Sequence, residues 1–168
     1  MTTIKLTNEQ IAQIAQCKDA VLNLKLTVNT LGLLNLVEQC YAHYTKQGEI
    51  FAKAFQAHKD ELLKNHPEHK ELLIGFFSVW HDPVKSNKYV DKHKELIAIV
   101  PKIEAINQAM NNTIVSEKDK QHEFVMRDDC YYGELLDDLA EQGIELKNPI
   151  AHVIQILNMI LVRVYCIK

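Results

Sequence analysis

The apolar residues Leu26, Leu33, Val37, Cys40 and Tyr44 follow one another at steps of seven, four, three and four. Those steps return to one face of a helix with 3.6 residues per turn, and a strand, with its period of two, does not produce them. The same spacing recurs along the chain. Ile11, Ile14 and Ala15 follow Thr7-Asn8-Glu9-Gln10, which has the form of a capping box. Phe51, Phe55, His58 and Leu62 make another stripe, which ends at Asn65-His66-Pro67. Pro67 suits the start of a helix carrying Leu72, Leu73, Phe76 and Trp80, and Asp82-Pro83 stops it.

Further on, Ser86 is placed to cap a helix with Tyr89, Val90, Leu96, Ile97 and Val100. Pro101 kinks or ends that helix, and Ile103, Ile106 and Met110 carry the stripe beyond it. Ser116-Glu117-Lys118-Asp119 reads as the next start, opening a helix through Phe124, Val125, Tyr132, Leu135, Leu136 and Leu139 to Gly143. Gly48 reads as a stop for the long stripe before it, and Gly32 with Thr27–Thr30 as a division within it.

Turn residues are scarce, with five Gly and four Pro in 168 residues. A many-stranded fold needs more turns than that; long helices do not. The expectation is an all-α, single-domain bundle over residues 1–168, with six or seven helices around an apolar C-terminal helix. That last helix opens at Asn148-Pro149 and runs from Ile150 to about Cys166. His152, Gln155, Asn158 and Arg163 interrupt it, and each is costly in lipid, so it reads as a core helix rather than a membrane span. Cys17, Cys40, Cys130 and Cys166 form no C-x-x-C pair, and Met1-Thr2-Thr3-Ile4-Lys5 begins no apolar leader. A cytoplasmic protein with reduced cysteines is expected.

Several chemistries are excluded by inspection. The glycines are isolated, so the chain has no dinucleotide fingerprint, Walker loop or nucleophile elbow. His122-Glu123-Phe124-Val125-Met126 has Met where a zinc-binding H-E-x-x-H needs its second His, and it reads as an exposed His-Glu on a helix. Cys130 lies eight residues from His122, about 12 Å along a helix, so His122 cannot serve as its base within that helix, and only a His brought in by the tertiary fold could. No catalytic residue, metal ligand or cofactor is expected, and the chain does not read as an enzyme. Seventeen Lys stand against two Arg, Arg127 and Arg163, which argues against a sequence-specific reader of nucleic acid.

The charge distribution is uneven. Residues 1–127 sum to +1 and residues 128–168 to −4, within a net charge of −3. From Asp128 to Leu146 there are seven acids and no base. Glu134, Asp138, Glu141 and Glu145 recur at helical spacing with Asp137 beside them, opposite Leu135, Leu136 and Leu139. Like-charge neighbours on a helix cost about 0.2–0.5 kcal/mol each. Such a stripe is either a solvated face, a face neutralised by lysines of another helix, or a docking surface for a protein partner with a basic surface. Tyr131, beside the run, and Trp80, the only tryptophan, add aromatic anchors of the kind found at interfaces.

The leading expectation is therefore a small protein-binding module. Its sharper form is an inhibitor or immunity-type protein that neutralises a basic-surfaced effector through Glu134, Asp137, Asp138, Glu141, Glu145, Tyr131 and Trp80. No membrane partner is expected. One alternative is a helical ligand- or metal-binding protein or enzyme with a site near the last helix, at His152, Gln155 and Asn158. Another is a structural homo-oligomer that uses the last helix as its contact.

Overall fold

Thr7 performs the role its capping-box spacing predicts. Its hydroxyl accepts the Gln10 N–H at 3.2 Å, and the Gln10 side chain accepts the Thr7 N–H at 2.9 Å. Two donors that a helix start would leave bare are thereby satisfied, and α1 (Asn8–Ala15) begins. The structure, a computed structural model, describes residues 2–25, 27–127, 135–143, 153 and 155. After α1 come α2 (Lys18–Leu22), α3 (Val28–Asn65), α4 (Lys70–Val79), α5 (Pro83–Lys92), α6 (Val100–Glu117) and α7 (Leu135–Glu141). Short 3-10 turns cover Pro67–His69 and Lys94–Ala98. The class is all-α, with one small two-stranded sheet among the described residues.

That sheet corrects the reading of residues 121–126, expected as helix, and pairs them with residues 2–7, most of which no sequence signal assigns to an element. β1 (Thr2–Thr7) and β2 (Gln121–Met126) pair antiparallel, with Ile4 opposite Phe124 and Leu6 opposite His122. Ile4, Leu6, Phe124 and Met126 are buried, while Lys5, Glu123 and Val125 alternate with them toward solvent. Alternation of this kind is the mark of a half-buried strand. Each run is only six residues long, and Phe124 with Val125 mimics the start of a helical stripe. Ser116, expected to open a helix there, lies in the last turn of α6 and donates its hydroxyl to the Thr113 carbonyl at 2.8 Å.

The chain gathers into two compact units. The first comprises residues 1–47 and 117–168, the second residues 48–116. In the first unit, Ile11 and Ile14 of α1 and Leu33, Leu36, Val37 and Cys40 of α3 pack with the sheet's inner face and with Leu135 and Leu139 of α7. Val153, which is helical, joins them at 1% exposure. Burying one such aliphatic side chain contributes about 1.5–3 kcal/mol. Gln155, also helical, is exposed. The remaining residues of the C-terminal helix expected from the sequence lie outside the described residues. Among those residues no helix is long and apolar enough to cross a membrane.

In the second unit, Leu62, Leu73, Phe76, Phe77, Leu96, Ile99 and Ile103 form a separate core. Asp82 starts α5 by accepting the Val84 and Lys85 N–H groups at 3.1 Å each, with Pro83 behind it. The expected cap at Ser86 is therefore one turn late. The Lys85 amide, with its ammonium and the Val84 amide, holds the Asp82 carboxyl below the usual carboxylate range. Pro101 stands at the start of α6 rather than at a kink, where its missing N–H costs nothing. Gly48 is not a stop. α3 passes through it with no positive φ, and Gly48 instead falls where the first unit ends and the second begins. A glycine inside a helix costs about 1 kcal/mol and does not by itself break it. Gly32 likewise sits within α3; the division lies before Val28.

Candidate functional site

The acidic segment is described over α7. Leu135 and Leu139 are buried in the first core, which fixes the rotation of the helix and turns Asp137 and Glu141 to solvent. Gly143, at φ +73°, closes the helix as expected, and its N–H reaches the Ala140 carbonyl at 3.0 Å. Among the described residues no lysine, arginine or histidine is ion-paired with Asp137, Asp138 or Glu141. Lysines do accompany acids elsewhere, at Lys5 with Glu123 (3.6 Å), Lys85 with Asp82 (3.3 Å) and Lys94 with Asp91 (3.1 Å).

Asp138 is turned inward. Its Oδ2 accepts the Thr27 hydroxyl at 2.7 Å and the Asn29 side-chain amide at 3.2 Å. Thr27 in turn accepts the Thr30 N–H at 3.1 Å, so the carboxylate stands behind the first turn of α3. Negative charge is favourable at the N-terminal end of a helix. Gln142 adds a second tie by accepting the Lys25 N–H at 2.6 Å. Asp138 thus holds α7 to the segment that opens α3, a tertiary role that the spacing of acids does not announce. Asp137 and Asp138 also lie in the first turn of α7 itself, where the same dipole favours acids. Glu134, Glu145 and Tyr131 lie outside the described residues.

Trp80 belongs to the second unit, whereas α7 belongs to the first. Its ring stacks on Phe55 with centroids 4.8 Å apart and an interplanar angle of 11°. The indole N–H donates to Nε2 of His81 at 2.8 Å. Half-buried, it closes the second core at its edge. It also lines a groove of about 190 Å³ with Phe76, Val90, Val100, Ile103 and Glu104. Of the residues proposed for a site near the last helix, Gln155 is exposed, and His152 and Asn158 lie outside the described residues.

One constellation was missed. His43 of α3 and His122 of β2 meet with ring centroids 4.2 Å apart and an interplanar angle of 53°. Phe124 stands edge-on to His43 at 6.0 Å. The Nε2 atoms of both histidines are buried and have no hydrogen-bond partner. Burial pushes the His43 value down, and the neighbouring His122, Lys46 and Lys120 push it further the same way. His122 is therefore not the exposed residue on a helix that its sequence context predicts; it occupies a core-facing position of a strand. The available signal was that His43 continues the Leu33, Val37, Cys40 stripe by one more turn. Among the described residues no third His, Cys, Asp or Glu completes a metal-holding group with the pair.

No protein family, curated protein or solved structure matches the chain.

Proposed function

We propose that this chain is a protein-binding module that engages a basic surface on its partner through the outer face of α7. The observation that carries the reading is the pair Asp137 and Glu141. They are exposed one turn apart on a helix locked by Leu135 and Leu139, with no cation paired to them among the described residues. Fixed charges of one sign speed the encounter with an oppositely charged partner and set its register. Asp138 supports the surface from behind by tying α7 to the start of α3. The finer form of the reading is an inhibitor or immunity-type protein whose partner is a basic nuclease or toxin.

The test is capture of partners from the native host at low and high salt, with the wild-type chain and with Asp137→Lys/Glu141→Lys. Asp138 stays unchanged so that the fold is not the variable. A specific partner held at low salt, released at high salt and lost on charge reversal supports the reading. Retention that ignores the reversal, or no retention at low salt, rejects it.

A further inference from the structure

Two core-facing stripes in the first unit end in histidine. On β2 the inward positions run Met126, Phe124, His122, and on α3 the buried stripe Leu33, Val37, Cys40 is continued by the half-buried His43. Apolar side chains would close such a seam at no electrostatic cost. Here two imidazoles close it against each other at 4.2 Å. We propose that His43 and His122 form a proton-sensitive clasp between α3 and β2, which holds the strand while His43 is neutral and releases it when His43 takes up a proton.

The argument is one of hydrogen-bond accounting. A neutral imidazole can leave one nitrogen as a bare lone pair, but an imidazolium carries N–H on both nitrogens and donates from both. The Nε2 atoms of this pair are buried without an acceptor. A proton placed on the half-buried His43 ring therefore leaves its Nε2–H sealed from solvent without an acceptor, and an unsatisfied group held away from water is costly, the more so when charged.

The surrounding charges point the same way. On α3, Lys46 lies one turn beyond His43 and Cys40 one turn before it, and on the turn that leads into β2 Lys120 adds another positive charge. Lys120 itself leans on Glu117 at 3.9 Å, and Glu123 on the outer face of the sheet is engaged by Lys5. These carboxylates face lysines rather than the rings. In keeping with this, His43 is held below the ordinary histidine value, first by burial and then by His122, Lys46 and Lys120. A histidine more easily charged in the unfolded chain than in the folded one adds stability that is complete above its unfolded value. That stability is lost as the pH falls through that value toward the folded one. The clasp is therefore closed above about pH 6.5 and opens below it.

The test is amide hydrogen exchange on the full chain between about pH 8 and about pH 5, corrected for the intrinsic pH dependence of exchange. The Gln121–Met126 amides should lose protection on acidification, with a limiting slope of about one decade per pH unit for each proton taken up. The amides of α4 serve as the internal reference. His43→Phe and His122→Phe keep an aromatic ring in the seam and should flatten the β2 response. A β2 response that is pH-independent in the wild type, or unchanged in both variants, overturns the clasp. Should the variants fail to fold, imidazole proton resonances of the wild type decide. His43 titrating below the ordinary histidine value, in step with β2 opening, supports the clasp; His43 titrating as a free imidazole overturns it.

Discussion

The Asp138 carboxylate accepts the Thr27 hydroxyl at 2.7 Å, joining residues 111 positions apart. The Asn29 amide shares the same oxygen. A hydrogen bond to a charged group contributes about 1.5–3 kcal/mol, and Asp138→Ala leaves the Thr27 and Asn29 donors to find new acceptors. Asp138→Ala is expected to lower stability by about 2 kcal/mol in urea unfolding. A double-mutant cycle with Thr27→Val should give a coupling of about 1 kcal/mol. Asp137→Ala, on the exposed side of the same helix, should change stability by less than about 0.5 kcal/mol.

Phe55 and Trp80 make a nearly parallel stack at the edge of the second core. Such pairs contribute about 0.5–1.5 kcal/mol beyond the area they bury. A cycle through Phe55→Leu and Trp80→Leu should recover a coupling of that size. Because Trp80 is the only tryptophan, Phe55→Leu should also shift the emission of the folded protein without a change in its helix content. Unchanged emission means the stack is not formed in solution.

Gly75 lies inside α4 where an added methyl group would collide with the Tyr89 hydroxyl and come within 2.8 Å of the ring carbon that bears it. Helix propensity alone favours Gly75→Ala by about 1 kcal/mol. Tyr89, however, is held between Phe76, at 6.4 Å, and His93, at 4.6 Å, so it has little room to retreat. Overpacking of this kind costs about 1–3 kcal/mol. Gly75→Ala is expected to be net destabilising in the wild type and stabilising in a Tyr89→Ala background. Thermal melts of the four proteins check the reversal.

Cys40 is fully buried in the first core, and burial pushes its thiol up to about 12. Burial raises Cys17 as well. Only the thiolate reacts with alkylating agents. Peptide mapping after iodoacetamide treatment at about pH 8 should find both residues unmodified in the native protein and alkylated in urea. A thiol with a raised folded value keeps its full contribution below the unfolded value and loses it as pH rises. Stability should therefore fall as pH rises from about 9 toward about 12, and Cys40→Ala should reduce that fall. Rapid native alkylation of Cys40 at neutral pH rejects its burial.

Much of the helical framework is legible in local signals. The Thr7 and Gln10 box, Pro67 at a helix entry, Asp82-Pro83 and Gly143 act over three or four residues, and each marks a boundary in the fold. The sheet is not legible in this way. Residues Thr2–Thr7 have their partner more than a hundred positions away, and six residues of alternation are too few to outweigh the helical pattern nearby. Misreading β2 also concealed His122, since its inward direction follows from the strand's alternation. In the acidic segment, the helix and the outward side of Asp137 and Glu141 follow from the Leu135 and Leu139 spacing. The inward bond of Asp138 depends on where Thr27 comes to lie, which no local pattern records.

The antiparallel pairing of Thr2 with Met126 imposes an order on biosynthesis. Residues 48–116 form a unit that is continuous along the chain, so it can close while still tethered to the ribosome. β1 is made before β2 and waits for it, a delay of roughly ten seconds at ordinary elongation rates. Throughout that interval Ile4 and Leu6 lack the neighbour that later shields them. A nascent chain thus presents Ile4 and Leu6 to chaperones until residues 8–120, which separate β1 from β2, have been made.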